Sequence, residues 1–167
     1  MPVTVKGALE LRKALRQFEP DLGKETTREI AGVLKPLAAK ARGFAPAVPL
    51  SGWMKSPKNQ SRYAYDISEV KRGIGYKTSP SKPNARGFVA LAQLNNKSAA
   101  GAVYETAGRK TMGGNFVPHL PPLINTQAGK GRLLYEAWSQ DNGKATGAVL
   151  KAIESAANKL NARASHG

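Results

Sequence analysis

The sequence predicts an α+β fold: N-terminal helices and a C-terminal helix packed on a small, mainly antiparallel sheet. A long basic-tipped β-hairpin and an extended loop complete it. Three observations carry this reading. Apolar residues recur at steps of three and four over residues 22–41 and again over 145–160. The run Phe88–Leu94 is short, apolar and bounded by turn residues. The 167 residues suit one domain with a core large enough to fold without staples. The single domain divides into a helical part (1–47), a basic strand and loop part (48–131) and C-terminal helices (132–167).

Residues 1–6 alternate weakly and admit a short strand or an arm. Ala8–Phe18 reads as an amphipathic helix with Leu11, Ala14, Leu15 and Phe18 on one face. Glu19-Pro20-Asp21 ends it, with Asp21 as N-cap of the main helix, Leu22–Ala41. The apolar stripe of that helix is Ile30, Val33, Leu34, Leu37, Ala38 and Ala41. Pro36 removes a helical hydrogen bond, so a kink or a break is expected there. Lys40 and Arg42 suit the negative pole, and Gly43 follows the C-cap.

Residues 43–62 form an irregular connector punctuated by Pro46, Pro49 and Pro57. Trp53 is its one large apolar side chain. It reads first as a plug fastening the connector to the domain and second as an anchor in a protein interface. Tyr63 to Ile74 is expected to enter a sheet, weakened by Gly73 and Gly75. Residues 79–87 form a turn or basic tip, and Phe88–Leu94 returns as a strand apolar on both faces. Gly101–Ala107 admits a strand or a helical turn. Residues 108–127 form a long irregular region, a kind of stretch that is usually functional or disordered. Its Phe116, Val117, Leu120, Leu123 and Ile124 point to a segment that orders against a neighbour. Leu133–Trp138 reads as a short helix. Ala145–Leu160 closes the fold through Val149, Ile153, Ala156, Ala157 and Leu160.

The charge is the strongest compositional signal. Lys and Arg number 26 against 11 Asp and Glu, a net +15. Residues 48–131 hold 12 basic and 3 acidic side chains, a net of +9. Such an excess attracts polyanions or an acidic protein partner. The basic side chains expected to face DNA or a partner are Lys71, Arg72, Lys77, Lys82, Arg86, Arg109 and Lys110.

Catalytic chemistry is not expected. The absence of cysteine removes disulfides, thiolate metal sites and a cysteine nucleophile. Its two histidines, His119 and His166, are far apart, and His119 reads as a polar loop residue. The sequence holds no GxxxxGK[ST], HExxH or GxSxG string. Asp66 and Glu69 read as a solvated turn pair rather than metal ligands. RGFVA at 86–90 only echoes an RNA-binding strand motif. Neither cofactor nor metal is expected. The N-terminus lacks a signal-peptide pattern and no window reaches membrane-spanning length, so a soluble chain of intracellular origin is expected.

An ordered set of motifs resembles the tail-completion, or head–tail joining, proteins of bacteriophages with long non-contractile tails. The set opens with VKGALELRKAL. A helix ending KPLAAKARGFAP then runs into Ala45-Pro46. SGWMKS at 51–56, with Gly52, is similar to that family's Thr-Gly-x-Leu-x-x-Ser segment. Gly75-Tyr76 follows, and GAVYETAGRKT at 101–111 holds Tyr104, Glu105 and Gly108. The stretch 112–132 is longer than the resemblance leads one to expect. The resemblance implies a non-enzymatic virion subunit made in the host cytoplasm. It implies a homo-oligomeric ring, a hexamer being favoured, at the head-proximal end of the tail. The ring's partners would be tail terminator or tail tube proteins and head connector proteins. It would surround the channel of the packaged DNA, touching DNA without sequence preference and no membrane. Interface contacts are expected at Trp53, Phe116, Leu120 and Leu123. Two other readings stand beside it: a basic nucleic-acid-binding accessory protein, and a neighbouring ring such as the terminator or connector.

Overall fold

A computed structural model describes residues 7–48, 50, 52–58, 60–109, 117–126 and 129–165. The fold is α+β, with N- and C-terminal helices and two separate two-stranded sheets. In chain order the elements are α1 (Ala8–Phe18), α2 (Pro20–Gly43), α3 (Ile67–Gly73), β1 (Ile74–Lys77) and β2 (Gln93–Asn96). They continue with α4 (Ala99–Thr106), β3 (Ile124–Thr126), β4 (Gly129–Gly131), α5 (Leu134–Asp141) and α6 (Lys144–Ala164). β1 pairs with β2. β3 pairs antiparallel with β4, Ile124 opposite Gly131 and Thr126 opposite Gly129.

Two compact units share the chain. A helical unit comprises Pro2–Pro36, Tyr76–Gln93 and Gly143–Gly167; a mixed unit comprises Leu37–Gly75 and Leu94–Asn142. In the helical unit Leu15, Leu22 and Ala156 form one buried cluster, flanked by Leu11 and Leu160. Ile30, Leu34 and Ala152 form a second, flanked by Tyr76, Ala92 and Val149. The exposed pairs Lys159–Glu25 (2.6 Å) and Arg163–Glu19 (2.5 Å) tie α6 to α2 and to the α1–α2 junction. Such surface pairs contribute little.

The structure departs from the sequence reading at several places. In α1 the buried positions are Ala8, Arg12 and Leu15, whereas Phe18 is 71% exposed. The chain turns at Glu19, and Leu22 rather than Phe18 closes the cluster around Leu15. Pro20 is the first helical residue of α2, so Asp21 lies inside the first turn instead of capping it. Proline suits that position because its missing N–H would be unpaired anyway. Of the kink or break expected at Pro36, the break does not occur: α2 is continuous from Pro20 to Gly43. The carbonyl that Pro36 leaves without a partner belongs to Gly32, and both residues are exposed, so water can satisfy it.

The expected strand from Tyr63 is instead α3. Asp66 caps it, its Oδ1 accepting from the N–H groups of Ser68 (2.9 Å) and Glu69 (3.3 Å). An Asp with Glu three residues on is a helix-start signature, and it overrides the aromatic pair before it. The returning strand covers Gln93–Asn96 rather than Phe88–Leu94. Residues 78–92 are held by local bonds: Ser81 N–H donates to the Ala90 carbonyl. Asn84 Oδ1 accepts from the N–H groups of Arg86 and Phe88. Gly101–Ala107, open between strand and helical turn, lies mainly in α4, which Ser98 caps.

Candidate functional site

Two constellations stand out, one in each unit. In the mixed unit the motif residues Pro46, Tyr104, Glu105 and Gly108 belong to one framework. Glu105 is buried near the end of α4, and its carboxylate reaches the start of α5. It accepts from the N–H groups of Leu133 (2.9 Å), Leu134 (3.1 Å) and Tyr135 (3.2 Å). These are donors that a helix start leaves unpaired, and an anion is favoured there. Arg132, also buried, does the converse. Its Nη1 donates to the Tyr104 (2.9 Å) and Ala107 (2.8 Å) carbonyls at the end of α4, and its Nε donates to the Pro121 carbonyl. Each helix is thus capped by a side chain from the other's flank. Burial lowers the Arg132 pKa, against the opposing effects of Tyr104 and Glu105.

Around this clasp Trp53 lies 5.3 Å from Tyr65 and 6.4 Å from Tyr104, ring centroid to centroid, and its Nε1 donates to the Tyr63 carbonyl. Tyr65 is fully buried and its hydroxyl donates to the Pro46 carbonyl at 2.7 Å. Burial pushes its pKa up to about 12, with Tyr104 adding to the effect. Tyr104 is raised as well, chiefly by burial. Gly108 has φ +85°, and a Cβ there would lie 2.6 Å from Val117 Cγ1. Gly52 also has a positive φ, +82°. Trp53 is half-buried and packs on both tyrosine rings. Leu120 is buried, Leu123 half-buried, and Phe116 lies outside the described residues.

The second constellation is basic and lies in the helical unit. Tyr76–Gln93 carries Lys77, Lys82 and Arg86 and no acid. All three cations are exposed, as is the Phe88 ring. The base of the segment is clamped from α1. Buried Arg12 donates through Nη1 to the Leu91 carbonyl (2.8 Å) and through Nη2 to the Thr78 carbonyl. Burial and the nearby Arg16 both lower its pKa. The tip is thus exposed and held by its own local bonds, while its two ends are fixed to α1.

The basic candidates do not form one set. Lys77, Lys82 and Arg86 belong to the helical unit; Lys71 and Arg72, exposed on α3, belong to the mixed unit. Arg109 is occupied: its Nε donates to the Lys130 carbonyl and its guanidinium lies 4.8 Å from the Tyr135 ring centre. Lys110 lies outside the described residues. The three acids of residues 48–131 are all engaged. Asp66 caps α3, Glu69 pairs with Lys55 at 3.1 Å, and Glu105 caps α5. Among the described residues of this stretch only Lys55 is neutralised in this way, so most of the positive excess stands unopposed.

The residue pattern marks neither Arg12 nor Arg132, and it marks Tyr65 only as a strand residue. Their partners are backbone carbonyls, between 11 and 79 residues away for the two arginines, and carbonyls leave no residue-type signal. Among the described residues no group of three or more His, Cys, Asp or Glu is placed to hold a metal. No described helix is long and apolar enough to cross a membrane. No family model, curated protein or solved structure matches the chain.

Proposed function

We propose that this chain is a structural, non-catalytic virion subunit of the neck of a long-tailed bacteriophage. It forms a homo-oligomeric ring that joins the tail to the head connector and surrounds the DNA channel. The observation that carries this reading is the acid-free segment Tyr76–Gln93, with three exposed cations and ends clamped by Arg12. The ordered motif resemblance supports it. So does the engagement of Tyr104, Glu105 and Gly108 in a buried framework, since signature residues of a non-enzyme are expected to serve packing.

A ring repeats each surface by symmetry, so a few cations per subunit become a belt of positive charge. Such a belt holds DNA through its phosphates, loosens as salt rises and does not read sequence. The test is a symmetry-resolved cryo-microscopy map of the particle neck, with a variant lacking residues 79–86 beside it. The expected result is a closed ring of this chain at the head–tail junction. The deletion should leave circular dichroism nearly unchanged while lowering the yield of DNA-retaining particles. A chain absent from that junction, or a monomer bound to specific DNA sites, overturns the proposal in favour of an accessory nucleic-acid-binding protein.

A further inference from the structure

α1 carries a groove that the charge pattern of the middle segment does not point to. Leu9, Arg12, Lys13, Arg16 and Gln17 follow the steps i, i+3, i+4, i+7 and i+8, so they share one face of the helix. Pro80, from the clamped basic segment, forms the opposing wall. Together they enclose an open groove of about 330 Å³ in the helical unit. Three of the six lining residues are cations and none is an acid. The side chains of Lys13 and Arg16 have no hydrogen-bond or ion-pair partner among the described residues, and both residues are exposed. Arg12 spends its two Nη groups on carbonyls, which leaves its positive charge without a counter-ion.

We infer that this groove, lined by Arg12, Lys13, Arg16 and Pro80, binds the phosphodiester backbone of DNA. The inference deepens the neck reading and rests on it only in taking DNA as the polyanion. Lys13 and Arg16 are three residues apart, about 4.5 Å along the helix axis. One strand of B-DNA presents a phosphate every ~3.4 Å of its own axis, so Lys13 and Arg16 are spaced to meet two neighbouring phosphates. Leu9 and Pro80 place apolar surface beside the cations. That suits a chain in which each phosphate is flanked by a sugar, and it suits neither a small hydrated anion nor carboxylates on mobile stems. Gln17 adds a neutral donor. Lys13 and Arg16 position the backbone, while Arg12 shapes the groove by holding Thr78 and Leu91, and with them Pro80, against α1. No lining group is placed to read base edges, so binding is indifferent to sequence.

The test uses the full chain and a fluorescent duplex of mixed sequence, titrated at several salt concentrations. Lys13→Gln/Arg16→Gln is compared with Lys144→Gln/Lys151→Gln, which removes the same charge from exposed positions of α6 outside the groove. The groove pair should weaken binding at low salt by about tenfold or more. It should also flatten the slope of log K against log salt by about 2, one for each lost phosphate contact. The control pair should leave the slope unchanged. Unaltered melting curves for both pairs establish that folding is intact, and each single substitution should give about half the change in slope. Equal effects of the two pairs, or none, overturn the inference, because the attraction then belongs to the overall charge. Displacement of the duplex by inorganic phosphate beyond its ionic-strength effect makes the groove a small-anion site and also overturns it. Displacement by polyglutamate as effective per charge as by unlabelled duplex assigns the groove to an acidic protein and overturns it too. The ring reading is judged separately by the neck map. A monomer with a working groove, or a ring without one, separates the two failures.

Discussion

Replacing Glu105 with alanine tests the clasp directly. The native carboxylate accepts three backbone N–H groups, from Leu133, Leu134 and Tyr135, at 2.9–3.2 Å, and Glu105 itself is only 4% exposed. Alanine leaves those donors at the start of α5 with no acceptor. A lost cap costs about 1 kcal/mol, and each buried donor left unpaired costs about 1–3 kcal/mol. Relaxation admits water to some of them, so the expected loss is about 3–5 kcal/mol. That is a large part of the roughly 5–15 kcal/mol that holds a domain together. Glutamine keeps one acceptor oxygen in place of two and presents an amide N–H₂ to a backbone donor, so Glu105→Gln should lose about half as much. The assay is urea unfolding followed by far-UV circular dichroism, comparing midpoints at unchanged slope. A loss below about 1 kcal/mol for Glu105→Ala would refute the argument, as would a Glu105→Gln variant less stable than the alanine one.

Tyr65 makes the protein sensitive to alkali. Its folded pKa is raised from 10.0 to about 12, so its contribution is complete below pH 10 and lost as pH rises from 10 to 12. Two units correspond to about 2–3 kcal/mol, and melts across that range should show the decline, flattened in Tyr65→Phe. Ile153→Ala should cost about 2–4 kcal/mol because Ile153 is 4% exposed in α6, and Leu160→Ala less because Leu160 is only half-buried; equal urea midpoints for the two would contradict this. Gly131→Ala should be poorly tolerated, since a Cβ there would come 2.2 Å from Glu105 Oε1 and 2.4 Å from Tyr135 Cδ2. Its melting temperature should fall well below that of Gly32→Ala, where nothing lies within 4 Å.

Periodicity made the helices legible. The stripe from Ile30 to Ala41 and the face of Val149, Ile153 and Ala156 needed only the helical repeat, and both ended up buried or half-buried. The misreadings share a cause. Tyr63 and Tyr65 drew attention to strand propensity, while the short polar signal at Asp66 and Glu69 set a helix start. Phe88–Ala92 is apolar without being a strand because Ser81 and Asn84 satisfy its backbone locally. Spacing alone groups Phe18 with Leu15, but spacing does not show where the chain turns. The basic segment was visible as composition; its clamp was not. Arginine on an amphipathic helix reads as surface, and only the fold reveals Arg12 turned inward onto two carbonyls.

The exchange of caps between α4 and α5 has a consequence for how much this chain can vary. Glu105 and Arg132 join the two helices across a long separation in sequence, and they do so through side chains that belong to neither intervening strand. A closure made at its two ends is nearly indifferent to the length between them: doubling a loop adds only about 0.6 kcal/mol to its closing cost. The exchanged caps therefore set no length for the chain between Glu105 and Arg132, beyond the Pro121 carbonyl that Arg132 holds.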